Sequence, residues 1–222
     1  MDSVPDSGSE HDRRAALKFP DAVTDGATVL LCGFDPTEFA LGLRCLGQFG
    51  SAEDSAIVVT TKQGVSETSE TYSSLLGTES GPSIGVVDMV SEGQSISAAY
   101  GEVPTVYTPS QGDTERLVIG LSDLTGKIAA GDNRHLVVRS LSPMLSATST
   151  ANVSDVVERI SGLRTADGLA VFGLDYTAHD EETVAAIAET ADRVLWITEQ
   201  SDGDIEMDLR STRADFGQFT GE

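Results

Sequence analysis

The feature that most constrains this chain is a series of short, continuously apolar runs. ATVLLCG (27–33), SAIVVTT (55–61), SIGVVDM (83–89), HLVVRSL (135–141), GLAVFGL (168–174) and RVLWITE (193–199) do not alternate in hydropathy. A strand that is apolar on both sides must be covered on both faces. Between the runs lie stretches of helical spacing. Phe39, Leu43 and Leu46 share a stripe within 36–49, and 66–76 carries a weaker helical pattern. Leu117, Leu121, Leu124 and Ile128 form a third stripe, and Val153, Val156, Val157 and Ile160 a fourth. Val184, Ile187, Ala188 and Ala191 form a fifth, with Asp180 placed to cap its helix. Strands alternating with helices predict an α/β fold: three layers around a mostly parallel sheet. The turn SDG (201–203) joins RVLWITE to DIEMDLR (204–210), which predicts a closing antiparallel hairpin. A short strand is expected at 103–107, inside a stretch rich in Gly, Ser and Pro (91–111). Residues 1–16 and 211–222 lack periodicity, so a single domain over 17–210 is expected between two loose tails, with Leu17–Phe19 docking on it.

Charge narrows the function. Fourteen basic against 36 acidic residues leave a formal charge of −22, spread along the chain rather than gathered in a tail. Such a skin repels phosphate backbones and anionic membranes, so no nucleic-acid partner is expected. It repels itself at low salt and is screened at molar salt. In this it resembles the cytoplasmic proteins of salt-accumulating haloarchaea. No run approaches 18 apolar residues, and MDSVPDSGSEHDRR has no apolar core after a basic start. The expectation is a cytoplasmic chain without membrane insertion. Cys32 and Cys45 have no metal-ligand spacing and read as buried thiols.

In a parallel sheet, ligands sit beyond the carboxyl ends of the strands. The first such junction is GFDPTEFA (33–40). With its strand and helix (LLCGFDPTEFALGLRCL, 30–46), it resembles the first unit of the RecA superfamily, closest to the KaiC branch. There the loop reads GxPGxGK[ST]: glycines let backbone N–H groups wrap the phosphates, lysine reaches their oxygens and a hydroxyl holds Mg²⁺. Laid on that pattern, Gly33 keeps the first glycine. Pro36 and Glu38 stand where glycines belong, Phe39 replaces the lysine and Ala40 the metal-binding hydroxyl. Asp35, Pro36, Thr37 and Glu38 instead have the order N-cap, N1, N2, N3, which predicts a capping box at the helix start.

The rest of the resemblance spans roughly 20–210 and is carried by DLTGKI, LVVRSLSPML, GLAVFGLDYTAHDEET and ADRVLWI, in that order. Where the KaiC branch has catalytic carboxylates, this chain has Thr60, Thr61 and Lys62. Where the family's metal aspartate ends a strand, this chain has Arg139, followed by Ser140. A guanidinium only donates and cannot ligate Mg²⁺. Arg139 is expected to pair with Asp35, Glu38 or Asp88 across the strand ends. The resemblance thus implies a degenerate ATPase with no cofactor, metal or catalytic residue, acting in regulation or scaffolding through a protein partner or self-association. The alternative is a nucleotide sensor or ATPase with a modified site. Asp175, His179 and Asp180 form the densest remaining polar cluster, and by the resemblance they suggest an interface. Trp196 and Phe172 are expected in the core.

Overall fold

The computed structural model describes residues 17–24, 27–37, 40–91, 103–108, 110–129, 131–199 and 205–212. Eight strands form one sheet: β1 (Thr28–Gly33), β2 (Ser55–Thr60), β3 (Ser83–Asp88), β4 (Thr105–Tyr107), β5 (Arg134–Val138), β6 (Ala170–Asp175), β7 (Arg193–Glu199) and β8 (Ile205–Ser211). Their order is β4-β3-β2-β5-β6-β1-β7-β8. Every pair is parallel except β7–β8, the closing hairpin. All residues of β1 and β2 are buried, as their unbroken apolar runs require.

The helices are α1 (Leu41–Phe49), α2 (Val65–Leu76), α3 (Thr114–Thr125), α4 (Ser142–Ala147), α5 (Thr150–Ser161) and α6 (Glu181–Ala188). They cover both faces. On one, Leu30, Ile57, Leu136, Val138 and Phe172 of the sheet pack with Leu117 and Leu121 of α3, Val153 and Val157 of α5, and Ile187 of α6. On the other, α1 and α2 cover the centre with Leu43, Leu46 and Tyr72. The segment 17–24 covers the flank with Phe19 and Val23. Phe19 docks as the sequence suggests: it is 1% exposed, and its N–H and C=O bond the Gln48 amide at 2.8 and 2.9 Å. Gly42 lets α1 approach the sheet, since a Cβ there would lie 2.6 Å from Val137 Cγ1.

At the amino ends of the strands, Asp54 ties three segments together. Its carboxylate accepts from the Ser51 N–H and hydroxyl and from the Asn133 N–H at 2.8 to 2.9 Å, and it lies 3.3 Å from His135 Nε2. His135 Nδ1 accepts the Leu169 N–H at 3.0 Å, which makes the neutral ring the Nε2–H tautomer.

Two expectations need correction. The first helix begins at Leu41, not at Pro36. Trp196 is half-buried rather than core, whereas Phe172 is fully buried. At the C-terminal end Ser211 closes β8, and the Thr212 N–H bonds the Asp192 carbonyl at 3.1 Å. The expected tail 1–16 and the rest of the C-terminal one lie outside the described residues, as does most of the 91–111 excursion. Cys32 and Cys45 are buried, and burial pushes both thiols up to about 12.

Candidate functional site

The strand order brings the carboxyl ends of β1, β2, β3, β5 and β6 to one edge, and with them most of the residues singled out above. The junction after β1 is a turn rather than a capped helix start. Asp35 and Ala40 have positive φ, 31° and 49°. The Ala40 N–H bonds the Thr37 carbonyl and the Leu41 N–H bonds the Pro36 carbonyl, both at 3.1 Å. The expected capping box is therefore not the device here: the N-cap position is Ala40, which has no side chain to donate or accept. Glu38 and Phe39 lie outside the described residues. Pro36 is buried against the sheet end, where a Cβ on Gly173 would lie 3.2 Å from Pro36 Cβ and 2.3 Å from the Arg139 carbonyl oxygen. Glycine at 173 is what lets loop and strand meet.

Arg139 follows β5 and is 2% exposed. One amino group donates to Thr68 Oγ1 at 2.9 Å, the other to the Thr37 carbonyl at 3.1 Å. The expected ion pair with Asp35 or Asp88 does not form. The guanidinium reaches past the strand end to neutral oxygens of α2 and the β1 loop, because both carboxylates are turned elsewhere. Burial lowers Arg139 to about 10, while the charges of Glu67 and Asp35 oppose that fall, so it stays cationic at neutral pH. Asp35 accepts from Lys62 Nζ at 3.2 Å, a pair more than one-third exposed on both sides. Asp88 is fully buried and accepts from the N–H groups of Val65, Val90 and Ser91 and from the Ser91 hydroxyl, at 2.8 to 3.0 Å. It caps α2, whose own N-cap residue, Gly64, has no side chain. Thr61 Oγ1 donates to the Ser140 carbonyl at 2.8 Å, and Gln111 Nε2 to the Thr61 carbonyl at 2.6 Å. The strand ends are thus laced together by their own side chains.

Asp175 ends β6 in register with Gly33, and His179 and Asp180 follow it in the connection to α6. Asp175 accepts from the Thr177 N–H and hydroxyl at 3.1 and 2.6 Å. Asp180 caps α6 as expected, accepting the Thr183 N–H at 2.8 Å. That bond lowers the Asp180 carboxyl, with a further push from His179. Among the described residues, no three His, Cys, Asp or Glu side chains are grouped as a metal site. No helix among them is long and apolar enough to cross a membrane.

Two contributors were not apparent in the sequence. Thr68 holds Arg139 from α2; the only signal was a polar residue on the stripe that carries Tyr72 four positions later. Tyr176 and Trp196 meet edge to face, with ring centroids 5.7 Å apart, in a groove beside α6. Their separation in sequence hides that contact.

The three layers, with a loop and crevice at the carboxyl edge of the sheet, make a RecA-like α/β fold. Solved structures of this fold bear that out, each 13% identical to this chain. They include the flagellar accessory protein FlaH from Methanocaldococcus jannaschii, with a TM-score of 0.51 over 93% of this chain and 84% of that one. An uncharacterised Pyrococcus horikoshii protein, PH0321, solved in complex with an unknown peptide, gives 0.52 over 83% of each chain. A second protein from Pyrococcus horikoshii, PH0250, gives 0.50 over 86% of this chain and 89% of that one. Residues 26–197 match the family described as Family of unknown function (DUF7504), and the chain belongs to that family. No curated protein matches it.

Proposed function

We propose that this chain is a non-catalytic member of the RecA-like class, acting in regulation or scaffolding through contact with a protein partner or a second copy. The observation that carries this reading is the buried Arg139 guanidinium bonded to the Thr37 carbonyl. It stands where the resembled family places a metal-binding carboxylate, and it ties the end of β5 to the loop after β1. Supporting it, the Ala40 and Leu41 N–H groups are already bonded within that loop. The replaced lysine and hydroxyl remove the remaining grips on triphosphate and Mg²⁺. The peptide held by PH0321 is a property of that protein, and it supports a protein-binding reading here.

A nucleotide sensor is the competing reading, and Lys62 is what favours it: its ammonium is partly exposed at the crevice. Calorimetric titration with ATP–Mg²⁺ and ADP–Mg²⁺ in about 2–3 M KCl, which screens the −22 charge, decides between the two. The expected result is no heat and no shift in melting temperature. Binding tighter than roughly 100 μM overturns the non-catalytic reading.

A further inference from the structure

Beside α6 runs an apolar groove of about 340 Å³, lined by residues other than those of the crevice. Its aromatic wall is the Tyr176–Trp196 pair. Trp196 projects from β7 on the face opposite Leu195 and Ile197, which are buried under the other layer. Val184, Ala185 and Ala188 form the helix side, and the two alanines leave the trough open. Small residues on one wall and large aromatics on the other make a slot for a side chain, not a flat patch. Glu181 lines it directly, Asp180 and Glu182 stand in or next to the same first turn, and Asp208 lies opposite Trp196 across the β7–β8 hairpin. The basic residue paired with Asp208 is Arg210, so that carboxylate is partly neutralised, while the α6 end remains densely acidic. His179 also lines the groove, and its Nε2 is buried with no hydrogen-bond partner.

We infer that this groove receives a basic segment of a partner protein, with a large apolar side chain seated between α6 and the Tyr176–Trp196 pair and flanking Lys or Arg facing the α6 carboxylates. Charge selects the occupant: an apolar slot with an acidic rim attracts an apolar anchor with cationic neighbours and repels an acidic one. A second copy of this chain, at −22, meets that repulsion over its whole surface. The inference rests on the proposed protein-contact role and names the surface that performs it.

Trp196 is the only tryptophan, so the groove carries its own reporter. The full chain is titrated with a synthetic helical peptide of leucines and lysines, and separately with its counterpart bearing glutamate for lysine. KCl is set at the lowest concentration that keeps the circular dichroism of the folded state. The leucine–lysine peptide should shift Trp196 emission saturably, and the glutamate peptide should not. Ala185→Gln fills the slot at constant charge on a helix surface that tolerates it, and should weaken binding by roughly tenfold or more. Glu181→Gln should weaken it several-fold and flatten its salt dependence. Binding that leaves Trp196 emission unchanged, that survives Ala185→Gln, or that is equal for both peptides overturns the inference. So does a dimer in sedimentation that Ala185→Gln dissolves while the leucine–lysine peptide fails to bind, because the occupant is then a second copy. Failure of this groove leaves the nucleotide titration silent, whereas failure of the protein-contact reading appears there as heat, so the two are told apart.

Discussion

At the residue scale, buried polar groups tie distant segments of the chain together. Arg139 is the clearest case. A buried cation costs several kcal/mol unless its donors are met. Here two neutral oxygens and the more distant charges of Glu67 and Asp35 meet part of that need, while Nε stays without a partner. Asp54 is the opposite case, an anion that accepts from Ser51 and Asn133 and lies beside His135 Nε2. Burial alone would raise its carboxyl above the ordinary 3.8, but the Ser51, His135 and Asn133 contacts together outweigh burial and hold it at about 2. A carboxyl lowered on folding contributes stability above its unfolded value and loses it as pH falls to the folded one. Asp54 should therefore contribute about 2 kcal/mol near neutral pH, lost progressively between about pH 5 and pH 2. Urea unfolding at stepped pH should show this slope, and Asp54→Asn should lower stability near neutrality while flattening it. A wild-type slope retained in the variant would place the acid sensitivity elsewhere.

At the scale of single elements, periodicity made five helices legible, and all but the first lie close to where their stripes place them. The exception shows why. Asp35 to Glu38 has the local chemistry of a helix start, yet Pro36 is drawn under the sheet end beside Gly173 and the helix is delayed to Leu41. Local capping is worth about 1 kcal/mol, and docking a loop onto a sheet outweighs it. The same logic runs in reverse for α2. Its own cap position is glycine, and the cap comes from Asp88, 23 residues away. Asp88→Asn keeps the shape but exchanges one acceptor oxygen for a donor, so it should cost on the order of 1–3 kcal/mol. Hydrogen exchange should quicken first at Val65 to Thr68. Unchanged protection there would show that α2 is held by its apolar face alone.

At the scale of the whole molecule, the governing quantities are the sheet order and the surface charge. The order places the ends of β1, β2 and β5 on one edge, so residues more than 100 positions apart, Thr37 and Arg139, become bonded neighbours. The −22 charge belongs to the chain as a whole. Self-repulsion of that size should be relieved by screening, so the melting temperature should rise by on the order of 10 °C between low and molar KCl. A flat dependence on KCl, measured by scanning calorimetry, would show that the acidic skin is neutral for folding. The sequence by itself determined the three-layer α/β class, the closing hairpin, the docking of Phe19 and the capping of α6 by Asp180. Each of these rests on spacing or residue chemistry within a short window. Only the tertiary structure decided that Arg139 bonds Thr68 and Thr37 rather than a carboxylate, that Asp88 serves α2, and that Trp196 walls a groove. Those contacts join segments distant in the chain, and the energy that selects them comes from burial in the assembled sheet, which no local pattern encodes.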